Sequence, residues 1–330
     1  MKSLVHESKA GLEGLTIQEA KVLDIGENDV RMKIKYAGLN HRDLITIKNH
    51  GNSKENIHLG SDGAGVVTEV GHNVTAIQPG DEVIINAGLG WKENKETAPE
   101  NFQILGGASI GTFAEEIVLP EENVVKKPEY LSWEEAGVIS LSGLTAYRAL
   151  FTKGKVKAGM KVLIPGIGGG VATFLLQFAK AAGAEVYVTS RSKEKLEAAK
   201  AMGADKTALS SEDWAEAFGE KADLVIESVG AATFNQSLDA LKRGGTMVTF
   251  GSSTGDTVEF NLRKFFYGQY TLKGSTMGSQ EEYKEMLSFA EKHQIHPIID
   301  HVFAFNEYRK AFETMENAEQ HGKIVLAIGK

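Results

Sequence analysis

The chain of 330 residues contains no cysteine, which excludes disulfides, a thiol nucleophile and every zinc site built on thiolates. Only His, Asp and Glu could hold a metal. Proline is scarce, at 6 residues, so the 36 glycines, above the roughly 7% of an average protein, are not Pro/Gly low-complexity filler. Glycine at that level suggests bare backbone close to a ligand. No stretch approaches the about 18 consecutive apolar residues of a membrane span. Residues 1–10 carry His6, Glu7 and Lys9 and lack the apolar core of a signal peptide, so the expected location is cytoplasmic. Basic runs are missing as well. With Lys+Arg 36 against Asp+Glu 44 the net charge is −8, which argues against nucleic acid or an anionic membrane as main partner. Small molecules and other subunits remain. The length, about twice that of one domain, permits two domains or one elaborate α/β domain with no need for covalent staples.

From residue 21 to about 119, short alternating or β-branched runs (30–36, 65–70, 82–86, 115–119) are divided by Gly, Asn and Asp, the texture of an antiparallel β region with turns. The texture changes near Pro128. Ser132, followed by Trp133, Glu134 and Glu135, has the form of an N-cap with acidic residues in the first helical turn. Beyond residue 157, strand and helix alternate: strand 161–165, helix 170–182 ended by Gly183, strand 185–189, helix 193–202 ended by Gly203, then runs at 223–227, 246–250 and 271–274. Such alternation predicts a parallel, doubly wound sheet. The tail from residue 298, with apolar runs at 302–305 and 323–328 around a helix near 306–315, is expected to rejoin the N-terminal β domain.

Between the first strand of the alternating region and its helix stand Gly166, Gly168, Gly169 and Gly170, followed by Val171. Bare backbone there would let a pyrophosphate reach the N–H groups at the positive end of the helix. The alternative is glycine serving only a tight turn. The spacing departs from strict G-x-G-x-x-G, but the flanking strand and helix supply the context that this fingerprint requires. At the end of the next strand, where an NAD site usually has an acid, the chain has Ser190, Arg191, Ser192 and Lys193, with Lys195 a turn further. Cations and hydroxyls suit a 2′-phosphate, so NADP(H) is favoured over NAD; the competing view makes Arg191 and Lys193 a solvated surface pair. Two further strand ends, with Val229 and Gly230 and with Gly251, Ser252 and Ser253, are small where a cofactor would cross the sheet. Either could also be an ordinary βα turn.

Further motifs carry a family resemblance: 60–67 (Gly-Ser-Asp-Gly-Ala-Gly-Val-Val), Val70-Gly71, 79–83 (Pro-Gly-Asp-Glu-Val), 142–147 (Ser-Gly-Leu-Thr-Ala-Tyr) and the closing Gly322-Lys323-Ile324-Val325. Over essentially its whole length the chain resembles the medium-chain dehydrogenase/reductase superfamily. The resemblance implies an α/β fold: a GroES-like β-rich catalytic domain over 1–126 and 297–330, plus a Rossmann doubly wound parallel-sheet NADP-binding domain over 127–296. It also implies Thr145 and Lys323 at the cofactor, and a homodimer pairing through an edge strand at 271–276.

In zinc members of that superfamily the metal ligands fall at the positions of Asn40, Ser61 and Leu141, and a structural-zinc lobe would lie within 88–107. This chain has no ligand at any of them. A metal site rebuilt from His41, His58 and Asp62 is the remaining metal-dependent option. The resemblance is to the zinc-independent, quinone oxidoreductase-like branch, which has Asn-x-x-Asp at this place, here Asn40-His41-Arg42-Asp43. It implies hydride transfer from NADPH to a quinone or α,β-unsaturated carbonyl, chemistry that needs orientation and hydrogen-bond donors rather than a Lewis acid. Asn40 is the candidate for holding the carbonyl or nicotinamide region. His41 is the candidate proton donor, unless it is simply a packed or surface ring. Asp43 is assigned to the site with a structural role in its loop preferred over a catalytic one. Trp91, Phe102, Phe265, Phe266 and Tyr267 could line a planar pocket, although core packing or subunit contact suits most of them better. A protein that binds NADPH without turnover is the alternative from another class.

Overall fold

Strands form where apolar side chains alternate. In the computed structural model, which describes every residue except Val22, Asn52, Lys54, Ala108, Ser109 and Lys330, the N-terminal elements are β1 (Lys2–His6), β2 (Leu15–Glu19), β3 (Asp29–Gly38), α1 (His41–His50), β4 (Ile57–His58), β5 (Ala64–Val70) and β6 (Glu82–Ile85). They continue with β7 (Gly88–Leu89), β8 (Gln103–Ile104), β9 (Glu116–Pro120), β10 (Val124–Lys126), α2 (Trp133–Ala136) and α3 (Ser140–Tyr147). The alternating part runs β11 (Lys161–Ile164), α4 (Gly170–Ala181), β12 (Glu185–Ser190), α5 (Lys193–Ala201), β13 (Lys206–Leu209), α6 (Trp214–Phe218), β14 (Ala222–Glu227), α7 (Phe234–Asp239), β15 (Leu241–Thr249), α8 (Leu262–Gly268) and β16 (Thr271–Gly274). The chain ends with α9 (Gln280–Lys292), β17 (Ile299–Ala304), α10 (Tyr308–Glu316) and β18 (Lys323–Ala327).

Two compact units result: Met1–Leu144 with Gly278–Lys330, and Thr145–Met277. The joints expected at 126/127 and 296/297 lie outside this division, because α2, most of α3 and α9 cluster with the first unit. In that unit β3 is the hub. Its alternate residues Val30, Met32 and Ile34 are buried, and it pairs antiparallel with β5, β9 and β18. The path β10-β6-β5-β3-β18-β17 plus β9 makes a seven-stranded sheet, so the C-terminal tail does return to the N-terminal β unit. β1 joins β2 and β4 in a separate antiparallel sheet.

The structure differs from the all-β expectation for 21–119 at α1. That helix starts where the backbone N–H of Asn40 donates to the Asp43 carboxylate, 2.8 Å, and it carries Lys48 and His50 in its last turn. Both features favour a helix locally, although the preceding alternation hides them.

In the second unit the six strands are all parallel, ordered β13-β12-β11-β14-β15-β16. That is the 3-2-1-4-5-6 order of a dinucleotide fold, whose ligand crevice opens at the carboxyl ends where the order reverses, here between β11 and β14. Val162, Leu163, Val186, Tyr187, Val188, Leu224, Val225 and Ile226 are all fully buried, as strands covered on both faces must be. Among the described residues no helix is long and apolar enough to cross a membrane.

Candidate functional site

The first unit concentrates buried polar groups around the loop that enters α1. Asn40, Asp43, Ser61, Asp62, Ser142 and Lys323 are all buried. β18 delivers Lys323 there, and its ammonium, 2% exposed against a fully buried Asp62, donates to Asn40 Oδ1 (2.6 Å), Leu39 O (2.9 Å), Asp62 Oδ2 (3.1 Å) and Ser142 Oγ (3.2 Å). Asp62 Oδ1 accepts from the backbone N–H of Leu141 at 2.7 Å, and Oδ2 also accepts from Asn40 Nδ2 at 2.9 Å. Ser61 Oγ donates to Leu105 O (2.8 Å) and accepts from Arg42 Nη1 (2.5 Å), while Arg42 also reaches the carbonyls of Leu105 and Gly106.

This donor set does not fit a zinc ion. Both Asp62 oxygens are taken, the carboxylate already holds an ammonium, and a second cation would have to sit beside Lys323 and Arg42 against their repulsion. Nor do His41, His58 and Asp62 assemble a relocated site. His58 is on β4 with Nδ1 3.0 Å from Ser3 Oγ, His41 is exposed, and among the described residues no three His, Asp or Glu come together as metal ligands.

Each expected catalytic residue has a definite place. Asn40 lies at the centre of the cluster. Asp43 is fully buried; burial pushes its carboxyl up to about 6, against the pull of Arg42 and of the Asn40 N–H, and its Oδ1 has no hydrogen-bond partner. His41 occupies the first position of α1. Its ring is partly desolvated even though the residue as a whole is exposed, and this lowers its pKa; the positive helix end acts in the same sense. Lys323, expected at the cofactor, gives its donors to the Asn40–Asp62 cluster. Leu39 O and Ser142 were not foreseen there; the signal was a lysine and an aspartate within otherwise apolar or glycine-rich runs, two charges that burial would force to pair. Among the aromatics, Trp91 is 2% exposed and edge-on to Phe102 at 5.1 Å, and Phe265 packs on the core of the second unit. Phe266 and Tyr267 are exposed.

The second unit brings the remaining expected residues to the carboxyl ends of its strands. Gly166 and Gly168 adopt φ +73° and +131°, values open to glycine. A Cβ on Gly166 would lie 2.7 Å from Val229, and one on Gly168 would lie 2.6 Å from Lys195 Cδ, so the turns after β11 and β14 and the first turn of α5 meet. Gly230 abuts Ser252 and Gly251 abuts Ser228 in the same way. Thr254 Oγ1 and Ser253 Oγ both donate to Val229 O, at 2.7 and 3.4 Å.

Gly169 is the exception. Nothing lies within 4 Å of the Cβ it lacks, it caps the twelve-residue α4, and no side chain caps that helix. Its first-turn N–H groups, including those of Gly170 and Val171, have no acceptor within the helix. Open space over uncapped donors, with the Lys195 stem folded across Gly168, fits a pyrophosphate.

At the end of β12, Ser190 is buried and its Oγ accepts from Ser192 N. Arg191 is exposed and makes no hydrogen bond or ion pair to the described residues. Hydroxyl and guanidinium there fit a 2′-phosphate. Thr145 is 7% exposed on α3 and bonded within the protein. One anchor was unforeseen. The buried Glu227 carboxylate accepts from Val229 N, Gly230 N, Thr233 Oγ1 and Ser237 Oγ, fixing the loop after β14. A carboxylate ending an apolar strand is the signal that marks it.

Comparison with known proteins likewise finds two parts, although the second runs through α9, beyond the Met277/Gly278 joint. Residues 26–129 match the model of the alcohol dehydrogenase GroES-like domain and residues 170–292 that of zinc-binding dehydrogenase. A zinc-type alcohol dehydrogenase-like protein of Schizosaccharomyces pombe is 34% identical, covering 99% of this chain and 99% of its own. The crotonyl-CoA reductase of Streptomyces avermitilis is 30% identical over 82% of this chain and 68% of its own. A solved structure described as an NAD-dependent alcohol dehydrogenase superposes with a TM-score of 0.93 at 35% identity, covering 100% of both chains.

Proposed function

The chain belongs to the medium-chain dehydrogenase/reductase superfamily, and from that premise we propose that it is a zinc-independent oxidoreductase that uses NADP(H) to reduce a quinone or an α,β-unsaturated carbonyl. The observation that carries the proposal is the Lys323 ammonium bonded to Asp62 and Asn40: cation and carboxylate neutralise each other where a metal would need free ligands. Without a Lewis acid to lower an alkoxide pKa, an acceptor whose π-system is already activated is the substrate class that fits. The crotonyl-CoA reductase relative, by its name, acts on one.

NADPH, when bound, supplies the hydride. The Gly168–Gly170 turn, Val171 and Lys195 receive its pyrophosphate; Ser190 and Arg191 receive its 2′-phosphate. Asn40 holds an N–H for the carbonyl oxygen, whose negative charge grows during reduction. His41, neutral at pH 7, relays a proton from solvent rather than acting as a fixed cation. Two copies pair through the β16 edge, beside which Leu262, Phe266, Tyr267 and Leu272 leave apolar surface exposed.

Steady-state NADPH oxidation with a quinone and with an enone tests the proposal. Turnover should persist after exhaustive chelation and should be slower with NADH. Stoichiometric zinc with chelator-sensitive alcohol oxidation would overturn it, as would NADPH binding with no turnover on either acceptor.

A further inference from the structure

Asn40 has four hydrogen-bonding positions, and the cluster fixes how each is used. A lysine ammonium can only donate, so the oxygen of the Asn40 amide, not its nitrogen, must face Lys323 Nζ at 2.6 Å. Ser142 Oγ donates to the same oxygen at 3.1 Å. The nitrogen is thereby turned to Asp62 Oδ2 at 2.9 Å, and its second hydrogen points to Gly38 O at a loose 3.4 Å. Three positions are tightly held; one N–H is held weakly enough to be given up.

We propose that Lys323 is a positioning residue for Asn40: its ammonium locks the amide so that the loosely held N–H, rather than a carbonyl lone pair, is offered to the substrate's carbonyl oxygen. Lys323 does not touch substrate in this role, since Leu39 O, Asn40, Asp62 and Ser142 already offer its three hydrogens four acceptors. The inference rests on the carbonyl-reducing function proposed above. It adds that a cation supplied by the protein orients the donor. Without it, the amide is free to rotate and present its oxygen, which would repel the developing charge.

The test replaces Lys323 by alanine and returns the missing cation from solution. Lys323→Ala should lower kcat for quinone or enone at least tenfold while leaving the NADPH dissociation constant within twofold of wild type. Propylammonium, matching the deleted atoms, should restore kcat saturably and raise the thermal midpoint of the variant but not of wild type. Tetramethylammonium, which has no N–H, should do neither. An unchanged kcat in the variant, or equal effects of the two ions, overturns the inference. Should Lys323→Ala not fold even with propylammonium, Lys323→Met decides: it keeps the length of the stem but has no ammonium, so kcat should fall at least tenfold at unchanged NADPH affinity, and wild-type kcat overturns the inference. A wild type inactive on both acceptors overturns the function and the positioning role together. Wild-type turnover with an indifferent variant overturns the positioning role alone.

Discussion

The two halves of the candidate machinery are built on opposite principles. Around Asn40, Asp62 and Lys323 nearly every donor and acceptor is spent inside the protein and little is exposed. At Gly168–Gly170 the donors face outward, and the space above Gly169 is empty. A saturated cluster is a rigid template that should tolerate little change without losing stability. An open mouth costs the fold little to alter, but should lose its ligand. Mutations can therefore separate the two by whether they move the thermal midpoint or the binding constant.

The largest effect is expected from Asp62→Ala. It deprives the Lys323 ammonium, 2% exposed, of its ion-pair partner, and removing one partner of a buried pair costs about 3–5 kcal/mol. Calorimetry should show the midpoint falling by roughly 10 °C for a protein of this size. A shift of only a degree or two would mean that water reaches the pair and that the cluster is not closed.

Asp43 tests the same cluster through pH. Its carboxyl is raised to about 6 by burial, against about 3.9 in an unfolded chain. The folded state therefore keeps the proton to higher pH than the unfolded state does. Stability from this group is fully present below about pH 4 and is lost as pH rises through 6, amounting to about 3 kcal/mol at 1.36 kcal/mol per unit. Asp43→Asn can still accept the Asn40 N–H but does not titrate. Its stability relative to wild type should climb between pH 4 and 6 and then level off; denaturant titrations showing a constant difference across that range would refute the burial argument.

At the open mouth the contrast reverses. Gly169 has φ −82° and ψ 161°, with nothing near its absent Cβ, so Gly169→Ala should cost no more than about 1 kcal/mol, the N-cap preference for glycine over alanine. The added methyl would occupy the space over the α4 donors, and NADPH should bind about 30-fold more weakly, on the order of 2 kcal/mol. Gly168→Ala is the control. At φ +131° and with Lys195 Cδ 2.6 Å away, it should cost about 1–3 kcal/mol of stability as well. Fluorescence titration beside thermal unfolding reads both quantities.

This contrast also explains what could be read from the sequence. The mouth was legible because it is local: strand, glycines and helix follow one another within residues 161–181, and chain order alone sets their geometry. The Rossmann strand ends with Val229, Gly230 and Gly251–Ser253 were found for the same reason. The cluster is not local. Lys323 is 283 residues from Asn40 and 261 from Asp62, and only the antiparallel pairing of β18 with β3 brings them together, so their joining in one cluster was not legible. Helix α1 was missed because its start depends on a bond between Asn40 and Asp43 inside a region of alternating strands. Glu227 was passed over because nothing in sequence order shows that four donors converge on it.

The finest distinction concerns one exposed side chain. Arg191 follows the buried Ser190 at the end of β12 and makes no hydrogen bond or ion pair to the described residues, so removing it should leave folding within about 0.5 kcal/mol of wild type. Its worth lies in a charge-assisted bond to a 2′-phosphate, a group NADH lacks. Because the site is open to solvent and screened, the loss should be modest, about 1 kcal/mol or roughly fivefold. Arg191→Ala should therefore weaken NADPH about fivefold while leaving NADH unchanged, with the difference shrinking as salt is raised. Equal weakening of both would make Arg191 a general phosphate contact of the open mouth. No change in either would leave it a solvated surface residue, and the choice of NADP(H) would then rest on Ser190 alone.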